Sequence, residues 1–185
     1  MNSIELMVEE HRNISRMLVV VKNASYGILK GEEISYDDFD EMIDFIRSYA
    51  DVHHHGKEEA FLFKEIVSHL GPLGDKLITH GMLIEHDWGR LFIRELVSAL
   101  ELVKAGDDFS KIDVIANAVG YANHLQRHID KENSVVYPFA QRQLPPEVME
   151  KVEIDTANFE KKAIENATPS HFLEILDRLE KKYTN

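Results

Sequence analysis

Two short runs of this sequence place a histidine four residues before a glutamate. The run HHHGKEEAFLF (53–63) contains His54 and Glu58, and the run HLQRHIDKENSVVYP (124–138) contains His128 and Glu132. Residues four apart lie on one face of an α-helix, so each run can present an imidazole and a carboxylate side by side. Neutral imidazoles and carboxylates without thiolates suit iron, manganese or zinc, and the two pairs therefore indicate a metal site.

Two further segments, each centred on a histidine, strengthen this interpretation. They are EEHRNI around His11 and LIEHDWGR around His86. A single His-xxx-Glu pair is usually a surface ion pair, and a single histidine on an apolar face is usually a hydrogen-bonded core residue. Burying four imidazoles and two carboxylates in one core is costly unless a metal compensates, so the combination favours ligands for two ions. The predicted ligands are His11, His54, Glu58, His86, His128 and Glu132.

The remaining histidines are predicted to lie outside this set. His53 and His55 each point about 100° away from His54 on a helix, so we expect them at the surface or in the layer behind the ligands. His124 lies one turn before His128 and has three readings: an additional ligand, a hydrogen-bond donor behind the ligands, or a packed neutral histidine. Three further histidines are expected to be structural or to lie off the metal-facing side: His69, His80 and His171.

The composition argues against several classes of function. The 185 residues include 21 lysines and arginines against 33 aspartates and glutamates, for a formal net charge of −12. Such a chain repels phosphate backbones and anionic bilayers, so we expect no nucleic-acid and no membrane partner. The chain has no cysteine, which removes disulfides and thiolate ligands and fits a reducing compartment. No apolar run spans a bilayer and the first residues lack a leader pattern, so we expect a soluble, cytoplasmic protein.

Apolar residues recur at helical spacing in four long segments with recognisable ends. The predicted bounds are a first helix capped by Asn2 or Ser3 and ended by Gly31, a second from Ser35 to Gly71-Pro72, a third from about Asp75 to Ala105, and a fourth opened by Ser110. On the fourth helix the predicted inward stripe includes Ile112, Tyr121, His128 and Val135. No segment alternates with period two and the connections are short. The sequence therefore predicts an all-α, antiparallel up-down-up-down four-helix bundle with an extra C-terminal helical tail.

The character of the chain changes after Pro145-Pro146. Residues 1–144 are predicted to form the bundle, and residues 145–185 are predicted to form a helical extension packed on its outside. The extension is highly charged at first and ends in an amphipathic piece after Thr168-Pro169. Because it contains no histidine four residues from an acidic residue, we expect it to support the bundle rather than to bind metal.

The combination of these motifs resembles the hemerythrin-like, or HHE cation-binding, family. The matching residues are His11 in EEHRNI, His54 and Glu58 in HHGKEEAFLF, His86 in LIEHDWGR, and His128 and Glu132 in HIDKENSVVYP, within residues 4–140. The resemblance implies a four-helix bundle holding a non-haem di-iron centre, oxo- or hydroxo-bridged, with four histidines and two bridging glutamates. Zinc or manganese would also suit these ligands.

This chain departs from the oxygen-carrying members of that family at two positions. Met82 stands where those members carry a fifth histidine, one turn before the third-helix ligand. Asn133 stands where they carry a bridging aspartate, a role that Glu132 takes here. Methionine is a poor ligand for oxidised iron, so one iron should be more open unless His124 replaces the missing nitrogen.

These departures shift the expectation from oxygen storage to the wider family, which is associated with sensing of oxygen, nitric oxide or redox state, with iron handling and with repair of iron–sulfur centres. A di-iron protein that binds or senses dioxygen or nitric oxide is one hypothesis. A di-iron enzyme acting on peroxide or nitric oxide, or repairing iron–sulfur centres, is another, and a metal-stabilised iron-handling domain is a third. We predict binding over catalysis and assign no catalytic residue. Arg90 is expected either near a bound anion or in an ordinary ion pair. The apolar residues of the tail are expected either to cover the bundle or to form the face of a homodimer, and any sensing output is expected to need a separate partner.

Overall fold

The computed structural model describes residues 1–183, and the last two residues of the predicted tail, 184 and 185, lie outside the described residues. Within residues 1–183 the chain is all-helical and contains no strand, which confirms the predicted fold class. In this described range six helices longer than one turn follow one another: α1 (Ser3–Leu29), α2 (residues 36–69), α3 (residues 71–104), α4 (residues 111–143), α5 (Pro146–Glu165) and α6 (Thr168–Tyr183). A single 3-10 turn, Asp108–Ser110, lies between α3 and α4. None of the helices in this range is both long and apolar enough to cross a membrane.

The ends of α1 follow the predicted signals. The side chain of Asn2 accepts a hydrogen bond from the backbone N–H of Glu5 at 2.8 Å, and the Glu5 carboxylate accepts one from the N–H of Asn2 at 3.0 Å. This reciprocal capping box satisfies two N–H groups at the start of the helix. Gly31 adopts a φ of +91° just after the helix, a conformation that glycine reaches without strain. Local chemistry therefore fixes both ends of α1.

The third helix begins earlier than the sequence predicted. The last α-helical turn of α2 ends at His69, and Gly71 and Pro72 open α3 instead of only closing the helix before it. Proline suits the first turn of a helix because the N–H that it lacks has no intrahelical partner there. The predicted start at Asp75 is therefore wrong, and α2 and α3 meet with almost no loop between them.

Three of the four long helices widen at or beside the predicted ligands. α2 is π-helical over Phe45–His55 and Glu58–Phe63, α3 over Ile78–Met82, and α4 over Glu132–Val136. A π-helical turn hydrogen-bonds to the fifth residue along the chain and so holds more residues than an α-helical turn. The angle around the helix axis between consecutive side chains is therefore smaller than in an α-helix. As a result, more consecutive side chains lie on the same side of the helix.

The core consists of two apolar clusters with buried polar side chains between them. The first cluster includes Ile14 and Phe45, and the second includes Met7 and Ile66. Along α1, for example, Met7 belongs to one cluster and Ile14 to the other, and the buried residues between them, Glu10 and His11, are polar. We call the buried charged and imidazole side chains between the clusters the polar layer: Glu10, His11, His53, His54, His55, Lys57, Glu58, His86, His128 and Glu132.

Two residues of the predicted inward stripe on α4 face solvent instead. Ile112 is 57% exposed and Val135 is 51% exposed, whereas Tyr121 and His128 are buried as predicted. Ile112 lies two residues before the buried Val114 and therefore on the opposite side of the helix. Val135 lies in the π-helical segment, where the α-helical period used for the prediction does not apply.

The two C-terminal helices pack against the long helices through apolar and ionic contacts. α6 buries Leu176 and Leu179 and makes its most extensive contact with α1. Arg16 of α1 forms ion pairs of 2.6 Å with Asp177 and with Glu180 of α6. The predicted division of the chain at residue 144 stays a prediction.

Candidate metal centre

The four long helices bring four of the predicted ligands together in the polar layer. His11 of α1, His54 of α2, His86 of α3 and His128 of α4 are each only 1% exposed. The Nε2 atoms of His11 and His54 lie 2.8 Å apart, and those of His86 and His128 lie 3.1 Å apart. The imidazoles therefore form two pairs, each with its nitrogens converging on one point.

The two predicted glutamates lie between these pairs. Glu58 Oε2 is 3.7 Å from His54 Nε2 in one pair and 3.6 Å from His86 Nε2 in the other. Glu132 spans the same gap, because its Oε2 is 3.2 Å from His11 Nε2 while its Oε1 is 3.0 Å from Nε2 of the α4 imidazole. Each carboxylate thus reaches both pairs, as a ligand shared between two ions would.

His55 joins this centre, although the sequence analysis expected it at the surface or behind the ligands. Its buried ring stacks on that of His86, with 3.8 Å between centroids and 11° between planes. Its Nδ1 donates a hydrogen bond to Asp51 Oδ1 at 3.3 Å, which leaves Nε2 free to bind a metal. The prediction assumed α-helical spacing between His54 and His55. The π-helical turn brings the two rings toward the same interior.

The buried side chains form two groups that could each hold one ion. Each residue of a group offers one ligand atom, and all the ligand atoms of a group lie within 4.8 Å of one another. The members of the first group, called the two-histidine position, are His11, His54, Glu58 and Glu132. The members of the second, called the three-histidine position, are His55, Glu58, His86 and His128. Because Glu58 belongs to both groups, the two positions are adjacent.

The acidic members of the centre lack partners that a cation would supply. Within residues 1–183, Oε2 of Glu58 and both carboxylate oxygens of Glu132 are buried without a well-formed hydrogen bond, and the polar atoms that face them are imidazole nitrogens 3.0–3.7 Å away. Leaving such an atom unpaired costs roughly 1–3 kcal/mol, and more when it is charged. Burial and the facing Glu132 carboxylate raise the pKa of Glu58 well above its usual range. The donor set therefore fits a divalent cation better than it fits an empty core.

The imidazoles differ in how readily they would accept a metal. Burial and the charge of a neighbouring imidazole lower the pKa of His54 to about 4. The same two causes hold the pKa of His55 well below its usual range. Burial also disfavours the charged form of His128, but Glu132 and Glu85 outweigh it and raise the pKa to about 9. A metal ion binds neutral imidazole, so His128 has to release a proton when it binds one.

A third group of potential ligands already holds a cation of the protein itself. Glu10, His53 and Glu160 lie within 4.8 Å of one another. Lys57, which is 0% exposed, donates hydrogen bonds to both carboxylates. Its ammonium group takes the place of an ion, so we assign no metal here. Glu160 belongs to α5, and the C-terminal extension therefore reaches the layer that surrounds the ligands.

Arg90 lies in an ion-pair network that supports two of the imidazoles. Its Nε and Nη2 donate to Asp51 Oδ1 at 3.0 and 2.7 Å, and Nη2 also donates to Glu59 at 2.8 Å. Asp51 and Glu59 accept hydrogen bonds from Nδ1 of His55 and of His86, at 3.3 and 2.7 Å. Arg90 is therefore an ion-pair residue, and through its two carboxylates it holds the rings in place.

The structure also locates the residues that the sequence left open. Met82 is buried in the second apolar cluster, and a fifth imidazole comes from His55 instead. His124 donates from Nε2 to the backbone carbonyl of Glu85 at 2.8 Å and belongs to neither ligand group of residues 1–183. Three other histidines likewise lie outside both groups: His69, His80 and His171.

Tyr137 contacts the centre, and the sequence analysis missed it. Its buried hydroxyl donates to Glu58 Oε1 at 2.5 Å and lies 3.4 Å from His11 Nε2. Burial and the nearby Glu58 carboxylate raise the pKa of Tyr137 well above its usual range, so the hydroxyl keeps its proton. Tyr137 follows Glu132 by five residues, the interval that a π-helical turn aligns and an α-helical one does not.

Comparison with known proteins agrees with this geometry. A family model described as Hemerythrin HHE cation binding domain matches residues 2–140, which is more than half of the chain. No curated protein and no solved structure gives a significant match. The matched range contains every member of both ligand groups, whereas α5 and α6 lie beyond it. The chain therefore belongs to the family of hemerythrin HHE cation binding domains.

Proposed function

We propose that this protein is a non-haem di-iron protein that binds or senses dioxygen, nitric oxide or redox state. The observation that carries the proposal is the presence of two adjacent buried ligand groups that share Glu58. The residues that would hold the two ions are His11, His54, His55, Glu58, His86, His128 and Glu132. Iron held there would supply one-electron redox chemistry and a position open to a small ligand. Zinc and manganese suit the same donors and are alternatives for occupancy.

The cavity beside the three-histidine position supports a small ligand there rather than a large organic substrate. A cavity of about 140 Å³ borders His55 and His86, with Ile93 and Tyr121 among its walls and Arg90 also lining it. Pockets that enclose drug-sized ligands typically measure roughly 300–1,000 Å³. A diatomic molecule or peroxide would fit this cavity, whereas a larger substrate would have to displace packed side chains.

Tyr137 supports ligand binding at the two-histidine position. Its hydroxyl lies beside Glu58 and His11 and carries a proton throughout the neutral pH range. If this O–H turned from Glu58 toward a bound ligand, it would stabilise negative charge that develops there. The same observation favours the second candidate function, a di-iron enzyme, because turnover of peroxide or nitric oxide consumes protons.

The proposal also covers the arrangement of the helices. We propose that the four long helices are antiparallel neighbours in a bundle and that α5 and α6 extend it. The extensive contacts of α4 with both α1 and α3 support this arrangement. A cytoplasmic location, a homodimer and a separate output partner stay predictions.

Metal analysis and optical spectroscopy test the proposal. Protein purified from iron-supplemented cells should contain about two irons per chain, as the two ligand groups require. Its near-ultraviolet bands should change on reduction and on addition of dioxygen or nitric oxide. Zinc or no metal, with a spectrum that does not respond, would contradict it.

Turnover assays separate binding from catalysis. Sustained consumption of peroxide or nitric oxide that is lost in Glu58→Ala would favour the enzyme. Rapid, reversible ligand binding without turnover would favour the binding protein. Glu65→Gln is the matched control in either assay, because Glu65 is a buried glutamate of α2 that belongs to neither ligand group.

A further inference from the structure

The imidazoles of the centre differ in the partner that each has at Nδ1. Four of them donate to a carboxylate: His54 to Glu10 at 2.8 Å, His55 to Asp51 at 3.3 Å, His86 to Glu59 at 2.7 Å and His128 to Glu85 at 3.0 Å. The fifth, His11, donates to the side-chain oxygen of Asn133 at 2.9 Å. Of these five rings, His11 therefore has the neutral partner.

Each of the four carboxylates accepts a hydrogen bond from a lysine or an arginine. Within residues 1–183, Asn133 accepts none from such a side chain. Lys57 donates to Glu10, Arg90 to Asp51 and Glu59, and Lys131 to Glu85. These contacts fix the carboxylates behind their rings and favour the ionised form. Asn133 lies exposed on α4 and offers His11 an uncharged acceptor. The difference is one of charge, because the hydrogen-bond lengths are similar.

A carboxylate behind a histidine changes how strongly the ring binds a metal. It orients the ring, fixes the proton on Nδ1 and makes Nε2 more basic, and its loss typically weakens metal binding about 10–100-fold. An amide oxygen performs the first two tasks and adds no negative charge. All imidazoles of the three-histidine position have a carboxylate partner, whereas the two-histidine position has one such imidazole, His54.

We propose that Asn133 makes the two metal positions unequal. The three-histidine position binds a divalent cation more tightly and fills first. The two-histidine position is the exchangeable one, because it has one imidazole fewer and because His11 lacks a charged partner that would offset this. Asn133 acts through His11 and is therefore a positioning residue. The inference rests on the proposed two-metal centre and adds an order of filling, together with the residue that sets it.

Stepwise titration with zinc tests the order of filling. Zinc is diamagnetic and prefers the same imidazole and carboxylate donors, so the ring ¹⁵N signals can be followed by NMR. The signals of His55, His86 and His128 should shift with the first equivalent, and those of His11 and His54 with the second. Movement of the His11 and His54 signals first, or of all five together, would overturn the proposal.

Two opposite substitutions test the role of charge. Asn133→Asp gives His11 a carboxylate partner and should tighten the second zinc about 10–100-fold while leaving the first unchanged. Glu85→Gln gives His128 an amide partner and should weaken the first zinc by a similar factor. Asn158→Asp, an exposed change on α5, controls for the added negative charge. An Asn133→Asp protein that binds zinc like Asn158→Asp would refute the assignment.

A carboxylate introduced at position 133 also has to be shown to act through His11. The Nδ1 signal of His11 in metal-free Asn133→Asp should shift relative to wild type, because the hydrogen bond forms before zinc is added. A tighter second zinc without that shift would assign the effect to direct ligation and would overturn the positioning role.

The titration also separates this inference from the proposed function. Uptake of fewer than two zinc ions, with the five imidazole signals unmoved, would reject the two-metal centre itself. Two zinc ions bound with equal affinity would leave that centre standing and overturn only the role of Asn133.

Discussion

The polar layer and the two apolar clusters are both buried, yet they affect stability in opposite directions. In the clusters, side chains such as Phe45 and Ile66 are removed from water, and each contributes about 1.5–3 kcal/mol. In the polar layer, Glu58 and Glu132 have buried oxygens without hydrogen-bond partners, which lowers the stability of the metal-free chain. The clusters therefore build the fold, and the layer between them is kept for binding at a cost in stability.

The polar layer is itself divided into a compensated part and an uncompensated part. Lys57 pairs with both Glu10 and Glu160, so an ammonium group of the protein already occupies that part. Glu58 and Glu132 instead face each other and four imidazole Nε2 atoms, a donor set that fits a divalent cation. The contrast shows that burial of charge alone does not identify a metal site. A candidate metal site is identified instead by buried carboxylate oxygens that lie next to converging imidazole nitrogens.

The largest effect should come from breaking the compensated part. Lys57→Met leaves the buried carboxylate of Glu10 and the partly buried one of Glu160 without their shared cation, and we expect a loss of about 3–5 kcal/mol in the free energy of unfolding. Urea unfolding monitored by circular dichroism measures it. Lys64→Met, an exposed change on the same helix, should stay within about 0.5 kcal/mol of wild type. Equal losses in the two variants would mean that the buried ion pairs do not stabilise the fold.

The uncompensated part should respond to metal. At free zinc one hundred times the dissociation constant of a position, that position should add about 2.7 kcal/mol to the stability of wild type over chelator-treated protein. Glu58→Gln removes the carboxylate shared by both positions and should abolish most of that gain. Thermal unfolding with and without zinc measures the difference, and Glu65→Gln should keep the gain. Stabilisation by zinc that survives in Glu58→Gln would show that the metal binds elsewhere.

Removing the Tyr137 hydroxyl beside the centre should lower the free energy of unfolding by a smaller amount. Tyr137→Phe removes the donor to Glu58 and should cost metal-free protein about 1–3 kcal/mol, because another buried carboxylate oxygen is left unpaired. Tyr121→Phe alters a buried ring in the first apolar cluster and is the matched control. Chemical unfolding compares the two. A greater loss in Tyr121→Phe would place the important hydroxyl in the apolar core.

The smallest loss of stability is expected from a small deletion in an apolar cluster. Ile66→Val deletes one buried methylene from the second cluster and should cost about 0.5–1.5 kcal/mol. The loss should be the same with and without zinc, because Ile66 contributes no ligand. Unfolding curves in both states check this independence. A loss that changes with zinc would show that the cluster and the polar layer are energetically coupled.

The sequence by itself determined the fold class and most of the candidate site. Capping and period-3.6 patterns predicted the all-helical fold, which the structure confirms. Two histidine-to-glutamate pairs with a spacing of four residues, together with two single histidines on apolar helix faces, identified six side chains that the structure brings together, and their role as ligands stays a proposal. These signals are local: each depends on residues within one or two helical turns, and short-range sterics and hydrogen bonds act identically wherever the helix is packed.

The tertiary structure alone decided the membership of the centre beyond those six residues. His55 and Tyr137 enter because α2 and α4 widen into π-helical turns, which changes the angle between side chains that the sequence pattern takes as constant. Glu160 accepts a hydrogen bond from Lys57, which lies 103 residues away in the sequence. Asn133 accepts one from His11, which lies 122 residues away. Such contacts depend on how separate helices are placed against each other, and no spacing within one helix encodes that placement.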